Sequence, residues 1–169
     1  MIRGLIFDLD GVIVDTAKYH YAAWKELAEK LHINFTKEDN ERLKGVSRVR
    51  SLEIILEIGG LTLSQEQKQT YCAWKNERYL SYIRKLKQDE ILPGAKQFLL
   101  DARAAGFRLA LGSASKNTNL ILEKLSITDL FDAVIDGNKA TKAKPDPQVF
   151  LMGAEEIGVS PAQCVVFEE

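Results

Sequence analysis

The first residues that could do chemistry are two aspartates, Asp8 and Asp10, which follow an apolar run at 2–7 and precede Gly11. Side chains two residues apart on an extended chain point to the same side, so the two carboxylates should lie together. Neighbouring carboxylates repel and raise one pKa unless a cation neutralises them, and Mg²⁺ takes such oxygen ligands. A carboxylate can also be a nucleophile that forms an acyl phosphate. Because Asp-Gly is equally a turn signal, a simple turn is the alternative.

Three further segments carry side chains suited to binding phosphate or metal. The run Ser113, Ala114, Ser115, Lys116 and Asn117 offers hydroxyls and backbone N–H groups to an anion, although Ser115 could be a plain helix N-cap. Lys144 could neutralise a phosphate, or be a solvated loop lysine. Glu168 and Glu169 could complete an octahedral Mg²⁺ site, or be a solvated chain end.

The elements that must position these segments are strands of a parallel sheet. Helical patterns that open at Pro93-Gly94, after Ser115 and near Pro147 separate the later strands, and this rhythm predicts βαβ units. Ligands bind at the carboxyl ends of such strands, where each polar segment falls. Continuous apolar runs, rich in branched residues, predict four buried strands at 2–7, 108–111, Ala133–Ile135 and Cys164–Phe167.

The stretch between the first two strands is predicted to be helical throughout. Capping-box patterns begin at Thr36 and Ser64, and Gly59-Gly60 separates two of the helices. A helical insert after the first strand of a parallel sheet indicates a separate cap domain. We therefore expect a helical cap at 16–89 and an α/β core formed by 1–15 and 90–169.

Composition limits the classes of partner. The 169 residues are 46% hydrophobic and 28% charged, and 23 basic against 24 acidic residues give a net charge of −1. Nucleic-acid binders need a concentrated positive field, so none is expected as a partner. No run approaches the roughly 18 apolar residues of a transmembrane helix, so no membrane partner is expected. Cys72 and Cys164 show no CxxC spacing, which favours reduced thiols in a cytoplasmic protein. The nearly neutral net charge and the single cap favour a monomer.

The motifs together carry a family resemblance. Asp8-Leu-Asp10-Gly11-Val12, Ser113, Lys144-Pro145 and the final acidic pair resemble the four motifs of the haloacid dehalogenase superfamily of phosphotransferases. The segments 15–20, 24–25, 43–48, 51–52, 75–76 and 113–117 narrow the resemblance to its β-phosphoglucomutase family. The resemblance implies a Rossmann-like three-layer α/β core with a parallel sheet and an inserted all-helical cap. Two departures are Glu169, where the family has Asp, and an expected C-terminal part that this chain lacks.

The resemblance implies a phosphomutase that interconverts β-D-glucose 1-phosphate and glucose 6-phosphate through β-glucose 1,6-bisphosphate. Asp8 would be the nucleophile, carried as an aspartyl phosphate, and Asp10 the general acid/base. Mg²⁺ would be held by Asp8, the Asp10 backbone carbonyl, Glu168 and Glu169. A magnesium-dependent sugar-phosphate phosphatase of the same fold, or an inactive fragment that only binds a phosphosugar, are the alternatives.

The resemblance also assigns the substrate contacts. Ser113 and Lys144 would bind the transferring phosphoryl group, and Arg48 with Ser115, Lys116 and Asn117 would hold the second phosphate. His20 and Lys75 would contact substrate or couple cap closure to Asp10, with hinges at Thr16 and 86–89. Each of three residues also has a structural alternative. His20 could be a cap histidine whose hydrogen bonds are all made within the protein, Lys75 a solvated helix lysine, and Trp24 part of the core of the cap. The remaining implied substrate-binding residues are Trp24, Lys44, Gly45, Val46, Ser47, Ser51 and Ala114.

Overall fold

A computed structural model describes residues 1–44 and 46–169 of the chain, so Gly45 lies outside the described residues. The strands are β1 Gly4–Phe7, β2 Arg108–Gly112, β3 Ala133–Ile135 and β4 Cys164–Phe167. The α-helices are α1 Ala17–Lys30, α2 Lys37–Glu41, α3 Arg48–Gly59, α4 Gln65–Ile83, α5 Ala95–Ala104, α6 Thr118–Leu125 and α7 Gln148–Glu156. Short 3₁₀ turns lie at Gln88–Glu90, Thr128–Leu130 and Pro161–Gln163.

The four strands form one parallel sheet in the order β3-β2-β1-β4. The central strand β1 is buried along its whole length and pairs with β2 on one side and β4 on the other. Helix α7 packs against β1, β2 and β3. The predicted parallel α/β core is confirmed, and its strands lie within a few residues of the expected positions.

Strand β4 differs from the prediction of a buried strand. Val165 and Val166 are 37% and 42% exposed. Because successive residues of a strand face opposite sides of the sheet, neither face of β4 is fully covered. Within the described residues β4 pairs with β1 and is the last strand in the order of the sheet. An uninterrupted apolar run indicated a strand correctly but did not show its place in the sheet.

Local signals explain the helices of the core. Gly94 and Gly106 bracket α5 with φ values of +83° and +87°, a conformation that costs glycine little. Helix α7 follows Pro147 and is followed by Gly158. Its Gly153 lies close to the sheet, since a Cβ there would meet the Ala110 side chain at 3.3 Å. This close approach brings α7, and the loop before it, against the strands.

The chain divides into two compact units, Met1–Thr16 with Arg84–Glu169, and Ala17–Ile83. The second unit is formed by α1 to α4, and we call it the insert. The sequence placed its limits at 16 and 89, whereas the Gln88–Glu90 turn contacts α6 of the core. At the point where the insert begins and ends, Val14 and Ile91 form an antiparallel bridge. Next to it, the N–H of Leu92 donates to the carbonyl of Ile13 at 2.8 Å.

The insert has a hydrophobic core of its own, which includes Trp24, Leu27, Phe35 and Ile55. Both predicted capping boxes are confirmed. The N–H of Asp39 donates to Thr36 Oγ1 at 3.1 Å and the N–H of Thr36 returns a bond to the Asp39 carboxylate at 2.9 Å. The same pair of bonds joins Ser64 and Gln67, at 3.2 and 2.9 Å. Gly60 ends α3 with φ +64°.

Among the helices that the structure describes, none combines the length and the apolar character that crossing a membrane requires.

Candidate active site

The carboxyl ends of the four strands stand side by side. Phe7 is in register with Leu111 of β2 and with Phe167 of β4, and Gly112 is in register with Ile135 of β3. The pairing continues one step further, because the N–H of Asp8 donates to Phe167 O and that of Ser113 to Ile135 O, both at 2.9 Å. The polar segments that follow the strands therefore begin at one edge of the sheet.

Lys144 joins two of these strand ends. Its Nζ lies 2.7 Å from Asp8 Oδ1 and 2.8 Å from Glu168 Oε2, and 4.8 Å from the centroid of the Phe150 ring. The Asp8 side chain is only 12% exposed and that of Lys144 is 25% exposed. A solvated loop lysine therefore does not describe Lys144, which neutralises two carboxylates at the end of β1 and β4. The peptide bond between Lys144 and Pro145 is cis.

Asp10 lies in a turn that directly follows β1. Gly11 has φ +78°, and the N–H of Val14 and that of Ile13 donate to Leu9 O, at 3.2 and 2.9 Å. The turn expected from Asp-Gly therefore forms, and it also fixes the carboxylate. Asp10 Oδ1 accepts hydrogen bonds from the Thr16 N–H, at 3.0 Å, and from the Thr16 hydroxyl.

Burial raises the pKa of Asp10, and the negative charges of Asp8 and Asp15 add to the increase, while the hydrogen bonds from Thr16 oppose it. Asp10 consequently keeps its proton to a higher pH than an ordinary aspartate does. A carboxyl group that can hold and release a proton near a second carboxylate is suited to general acid/base chemistry.

The acidic residues after β4 are separated. Glu168 is bound to Lys144, whereas the Glu169 side chain occupies the space that a Cβ at Gly11 would need. No three His, Cys, Asp or Glu side chains among residues 1–44 and 46–169 are grouped closely enough to hold a metal ion. Among the expected ligands, Asp8 and Glu168 thus share Lys144 as a partner, while the Glu169 side chain lies against Gly11.

The donor chemistry nevertheless fits Mg²⁺. Asp8 and Glu168 follow adjacent strands, and both offer carboxylate oxygens on the two sides of Lys144. Mg²⁺ is usually bound by one or two carboxylates and keeps its other positions for water and substrate phosphate. A backbone carbonyl of the Asp10 turn would be a further oxygen donor of the same type.

The loop Ser113–Asn117 follows β2 and leads into α6. The N–H of Ser115 donates to Ser113 Oγ at 3.1 Å, and the N–H of Asn117 donates to Ser115 Oγ at 3.1 Å. Asn117, not Ser115, is the N-cap residue of α6, so a plain N-cap does not describe Ser115. Ser113 is 2% exposed, while Ala114 and Lys116 are exposed. The two serine hydroxyls therefore set the shape of this loop.

Asp136 is a residue that the sequence reasoning missed. It follows β3 directly, as Asp8 follows β1, and it is 4% exposed. Burial works to raise its pKa, but hydrogen bonds from Asn138 and Lys139 outweigh burial and lower the pKa. An acidic residue at the end of a predicted strand was the available signal, and Lys144, further along the same loop, was considered instead.

In the insert, Lys75 and His20 form a buried pair. Lys75 Nζ lies 2.8 Å from His20 Nδ1, and the His20 ring stacks on Tyr79 with centroids 3.9 Å apart. Lys75 is only 3% exposed, so a solvated helix lysine does not describe it. Its Nζ also lies 4.6 Å from the centroid of Trp24, which is part of the hydrophobic core of the insert.

Burial, with the positive charge of Arg48, lowers the pKa of Lys75 to about 7. Burial also lowers the pKa of His20 to about 3, with contributions from Lys75 and Arg48. His20 is therefore neutral at neutral pH and accepts a hydrogen bond from Lys75. The pair is unusual in that the lysine can change its charge near pH 7.

The remaining predicted residues of the insert surround the start of α3. Ser47 is the N-cap and accepts from the N–H of Arg50 at 3.2 Å, while Ser51 is buried. Exposed Arg48 donates to Asn76 Oδ1 at 2.9 Å. Val46 is 39% exposed, and exposed Lys44 pairs with Glu41 at 2.7 Å. The structure thus groups Arg48 with Asn76.

Comparisons with known proteins find related sequences and similar folds. A sequence profile described as haloacid dehalogenase-like hydrolase matches residues 2–168. The chain is 43% identical to β-phosphoglucomutase of Bacillus subtilis, over 99% of this chain and 75% of that protein. Its fold is similar to the crystal structure of β-phosphoglucomutase from Clostridium difficile, with a TM-score of 0.88, 43% identity and coverage of 100% and 77% of the two chains. A phosphorylated carbohydrates phosphatase of Thermotoga maritima is 28% identical, over 99% of this chain and 76% of that protein.

Proposed function

Because the chain belongs to the haloacid dehalogenase-like hydrolase family, we propose that it is a phosphomutase that interconverts β-D-glucose 1-phosphate and glucose 6-phosphate. One observation carries the proposal: Asp8 is held 2.7 Å from Lys144, beside a second carboxyl group, Asp10, whose pKa is raised. The first group is suited to attack phosphorus and the second to move a proton. The similarity to two β-phosphoglucomutases supports the choice of sugar phosphate.

In the first half of the proposed reaction, Asp8 carries a phosphoryl group as an aspartyl phosphate. The 6-hydroxyl of β-glucose 1-phosphate attacks this phosphorus, the bond to the Asp8 oxygen breaks, and Asp10 takes the hydroxyl proton. The product is β-glucose 1,6-bisphosphate. Lys144 and Ser113 neutralise and align the oxygens of the group in transit, which is most of what phosphoryl transfer needs from a protein.

In the second half, the bisphosphate presents its other end. An Asp8 oxygen attacks the phosphorus on O1, the bond from that phosphorus to O1 breaks, and Asp10 returns its proton to O1. Glucose 6-phosphate leaves and the aspartyl phosphate is restored. The raised pKa of Asp10 suits this alternation, since the same group must hold a proton in one half and accept one in the other.

Mg²⁺ belongs to the proposal as a cofactor. Asp8, the Asp10 carbonyl, Glu168 and Glu169 are the residues that would hold it. When bound, it supplies positive charge to the transferring phosphoryl group.

A bisphosphate that is used from both ends needs a second phosphate site. We assign that role to Arg48, Ser115, Lys116 and Asn117. A guanidinium binds phosphate through two parallel hydrogen bonds, and Arg48 is exposed and oriented by Asn76 at 2.9 Å. The neutral ring of His20 and the ammonium group of Lys75 are proposed to contact sugar hydroxyls. The monomeric state and the cytoplasmic location stay predictions from the sequence.

The test is a coupled assay of glucose 6-phosphate formation, run beside an assay of inorganic phosphate release, with β-glucose 1-phosphate and a trace of the bisphosphate. We expect mutase flux to exceed phosphate release, and Asp8→Asn to reduce the flux by at least about 10³-fold. Asp129→Asn, an exposed aspartate in the Thr128–Leu130 turn, is the matched control and should retain full flux. Undiminished turnover in Asp8→Asn would contradict the assignment of the nucleophile.

A sugar-phosphate phosphatase is the second candidate, favoured by the similarity to the Thermotoga maritima phosphatase. It predicts phosphate release without mutase flux, because water would then reach the aspartyl phosphate. Saturable binding of sugar phosphate with neither activity would instead support the inactive, binding-only alternative. The same pair of assays separates all three functions.

A further inference from the structure

Asp136 makes a set of hydrogen bonds that the proposed reaction does not use. Its Oδ1 accepts from the N–H of Asn138 at 2.9 Å and from the N–H of Lys139 at 3.1 Å. Its Oδ2 accepts from Asn138 Nδ2 at 3.1 Å and from Asn119 Nδ2 at 3.4 Å. Both oxygens of a buried carboxylate are thus directed at the loop that follows β3 and at α6. These bonds fix Asn138 through both its backbone and its side chain.

Asn138 in turn holds the loop Ser113–Asn117. Its Nδ2 donates to the carbonyl oxygen of Lys116 at 3.2 Å, with Asp136 accepting from the same amide. The N–H of Gly137 donates to the carbonyl of Ser115 at 3.0 Å. Two consecutive residues after β3 therefore bind two consecutive carbonyls of the loop after β2.

Gly137 lies against the same loop without room for a side chain. A Cβ at this position would clash with the carbonyl oxygen of Ala114 and would lie 3.1 Å from Lys116 N. The segment Asp136–Asn138 and the loop Ser113–Asn117 thus meet backbone to backbone. Any displacement of one must be followed by the other.

We propose that Asp136 and Asn138 are positioning residues that set the geometry of Ser115, Lys116 and Asn117 for binding the second phosphate of the substrate. This inference rests on the proposed function of that loop. Neither residue needs to touch the substrate. Asp136 fixes Asn138, Asn138 fixes the Lys116 carbonyl, and the amides and side chains of the loop are thereby held in place before the phosphate arrives. Preorganised donors bind an anion more tightly than mobile ones, since less ordering remains to be done on binding.

The first experiment is Asn138→Ala, an exposed position whose side chain is not part of a hydrophobic core. The matched control is Lys139→Ala. Lys139 is the next residue in the same loop, and its Nζ binds Val134 O and Glu156, not the loop Ser113–Asn117. Amide hydrogen exchange of the ligand-free full chain is measured for 114–117, together with kcat and KM for β-glucose 1,6-bisphosphate.

In Asn138→Ala we expect exchange at 114–117 to accelerate about tenfold, and KM to rise about tenfold with kcat changed less than about twofold, as for the loss of one hydrogen bond. Lys139→Ala should leave both quantities at wild-type values. Equal exchange and equal KM in the two variants would overturn the proposal. A uniform fall in kcat without a rise in KM would also overturn it, because it would indicate a general structural effect.

Gly137→Ala provides an independent variant, since its methyl group pushes the loop away without removing a hydrogen-bonding side chain. It should raise KM more than Asn138→Ala does, and a KM like that of the wild type would contradict the role of this contact. The exchange measurement also separates this inference from the proposed function. If the wild-type protein shows no phosphotransfer, the proposed function fails, while accelerated exchange still establishes that Asn138 holds the loop.

Discussion

Two lysines, one in each unit, show opposite ways of placing a positive charge. In the core, Lys144 lies between two carboxylates, 2.7 Å from Asp8 and 2.8 Å from Glu168. In the insert, Lys75 is 3% exposed among aromatic rings and faces the neutral ring of His20 at 2.8 Å. Opposite charges favour an ammonium group, whereas burial without a carboxylate disfavours it. The core therefore places its cation against Asp8, the proposed nucleophile, while the insert holds a lysine whose pKa of about 7 makes it easily neutralised.

Of the changes that test this comparison, removing the charge of Lys144 on the core side should have the largest effect. Lys144→Met keeps the length of the side chain and removes its charge, leaving Asp8 and Glu168 without their shared partner. We expect kcat of the mutase reaction to fall about 10²–10³-fold, the usual cost of losing a preorganised charge donor. The coupled assay measures this loss. Lys142→Met removes an exposed lysine of the same loop that pairs with Asp146 at 3.7 Å, and equal losses in the two variants would refute the role of Lys144.

The second prediction tests the insert side through the pH dependence of stability. The folded-state pKa of Lys75 is lowered to about 7 from the ordinary value of 10.5, so between these values the unfolded chain binds more protons. The free energy of unfolding should therefore rise with pH across this window, and the contribution is lost as pH falls through about 7. In Lys75→Met the rise in the free energy of unfolding between about pH 7 and pH 9 should be smaller than in the wild type by about 1–2 kcal/mol.

Urea unfolding at the two pH values measures this difference. Lys25→Met, which removes an exposed lysine of α1, is the control and should keep the wild-type rise. If the free energy of unfolding changes with pH equally in Lys75→Met and in the wild type, Lys75 is charged in the folded protein throughout this range. The contrast between the two lysines then disappears.

The smallest expected effect concerns Asp10, whose pKa is raised because burial disfavours the charged form of its carboxyl group. Thr16→Val removes the hydroxyl that donates to Asp10 Oδ1 but keeps the backbone donor at 3.0 Å. Losing a bond that lowers the pKa should raise the pKa of Asp10 further, so the acidic limb of the kcat/KM profile moves to higher pH. We expect about a fivefold loss of kcat/KM below neutral pH. If kcat/KM instead falls by the same factor at every pH and the acidic limb does not shift, Thr16 does not act through Asp10.

Much of the fold follows from local features of the sequence. The largely apolar sequences of β1 and β2 suit a sheet that is covered on both faces, and glycines at 94 and 106 mark the limits of α5. The two capping boxes could be predicted because each is a contact between residues three positions apart. Strand β4 shows the limit of such reasoning, since Val165 and Val166 carry no information about what covers them.

The candidate site was predictable as a set of strand ends but not as a set of contacts. Parallel strands end at one edge, so the approach of Asp8, Ser113 and the residues after β4 follows from topology. The bond from Lys144 to Asp8 spans distant parts of the chain, and a single lysine in a loop does not reveal its partner. The burial of Lys75 could not be predicted for the same reason, because a helix lysine usually faces solvent and the sequence does not reveal its partner His20. Asp136 was missed because none of its partners, two backbone N–H groups and the side-chain amides of Asn119 and Asn138, marks it as a buried carboxylate in the sequence.

The antiparallel bridge between Val14 and Ile91 has a consequence for how this architecture tolerates change. The two ends of the insert are joined at the core surface by this bridge and by the Leu92–Ile13 hydrogen bond at 2.8 Å. For the core, the whole insert is equivalent to one long loop, and these contacts hold the two ends of that loop together. The entropic cost of such a loop grows only logarithmically, by about 0.6 kcal/mol for each doubling of its length. The core can thus accept a longer or shorter insert between Val14 and Ile91 at little cost in loop-closure free energy.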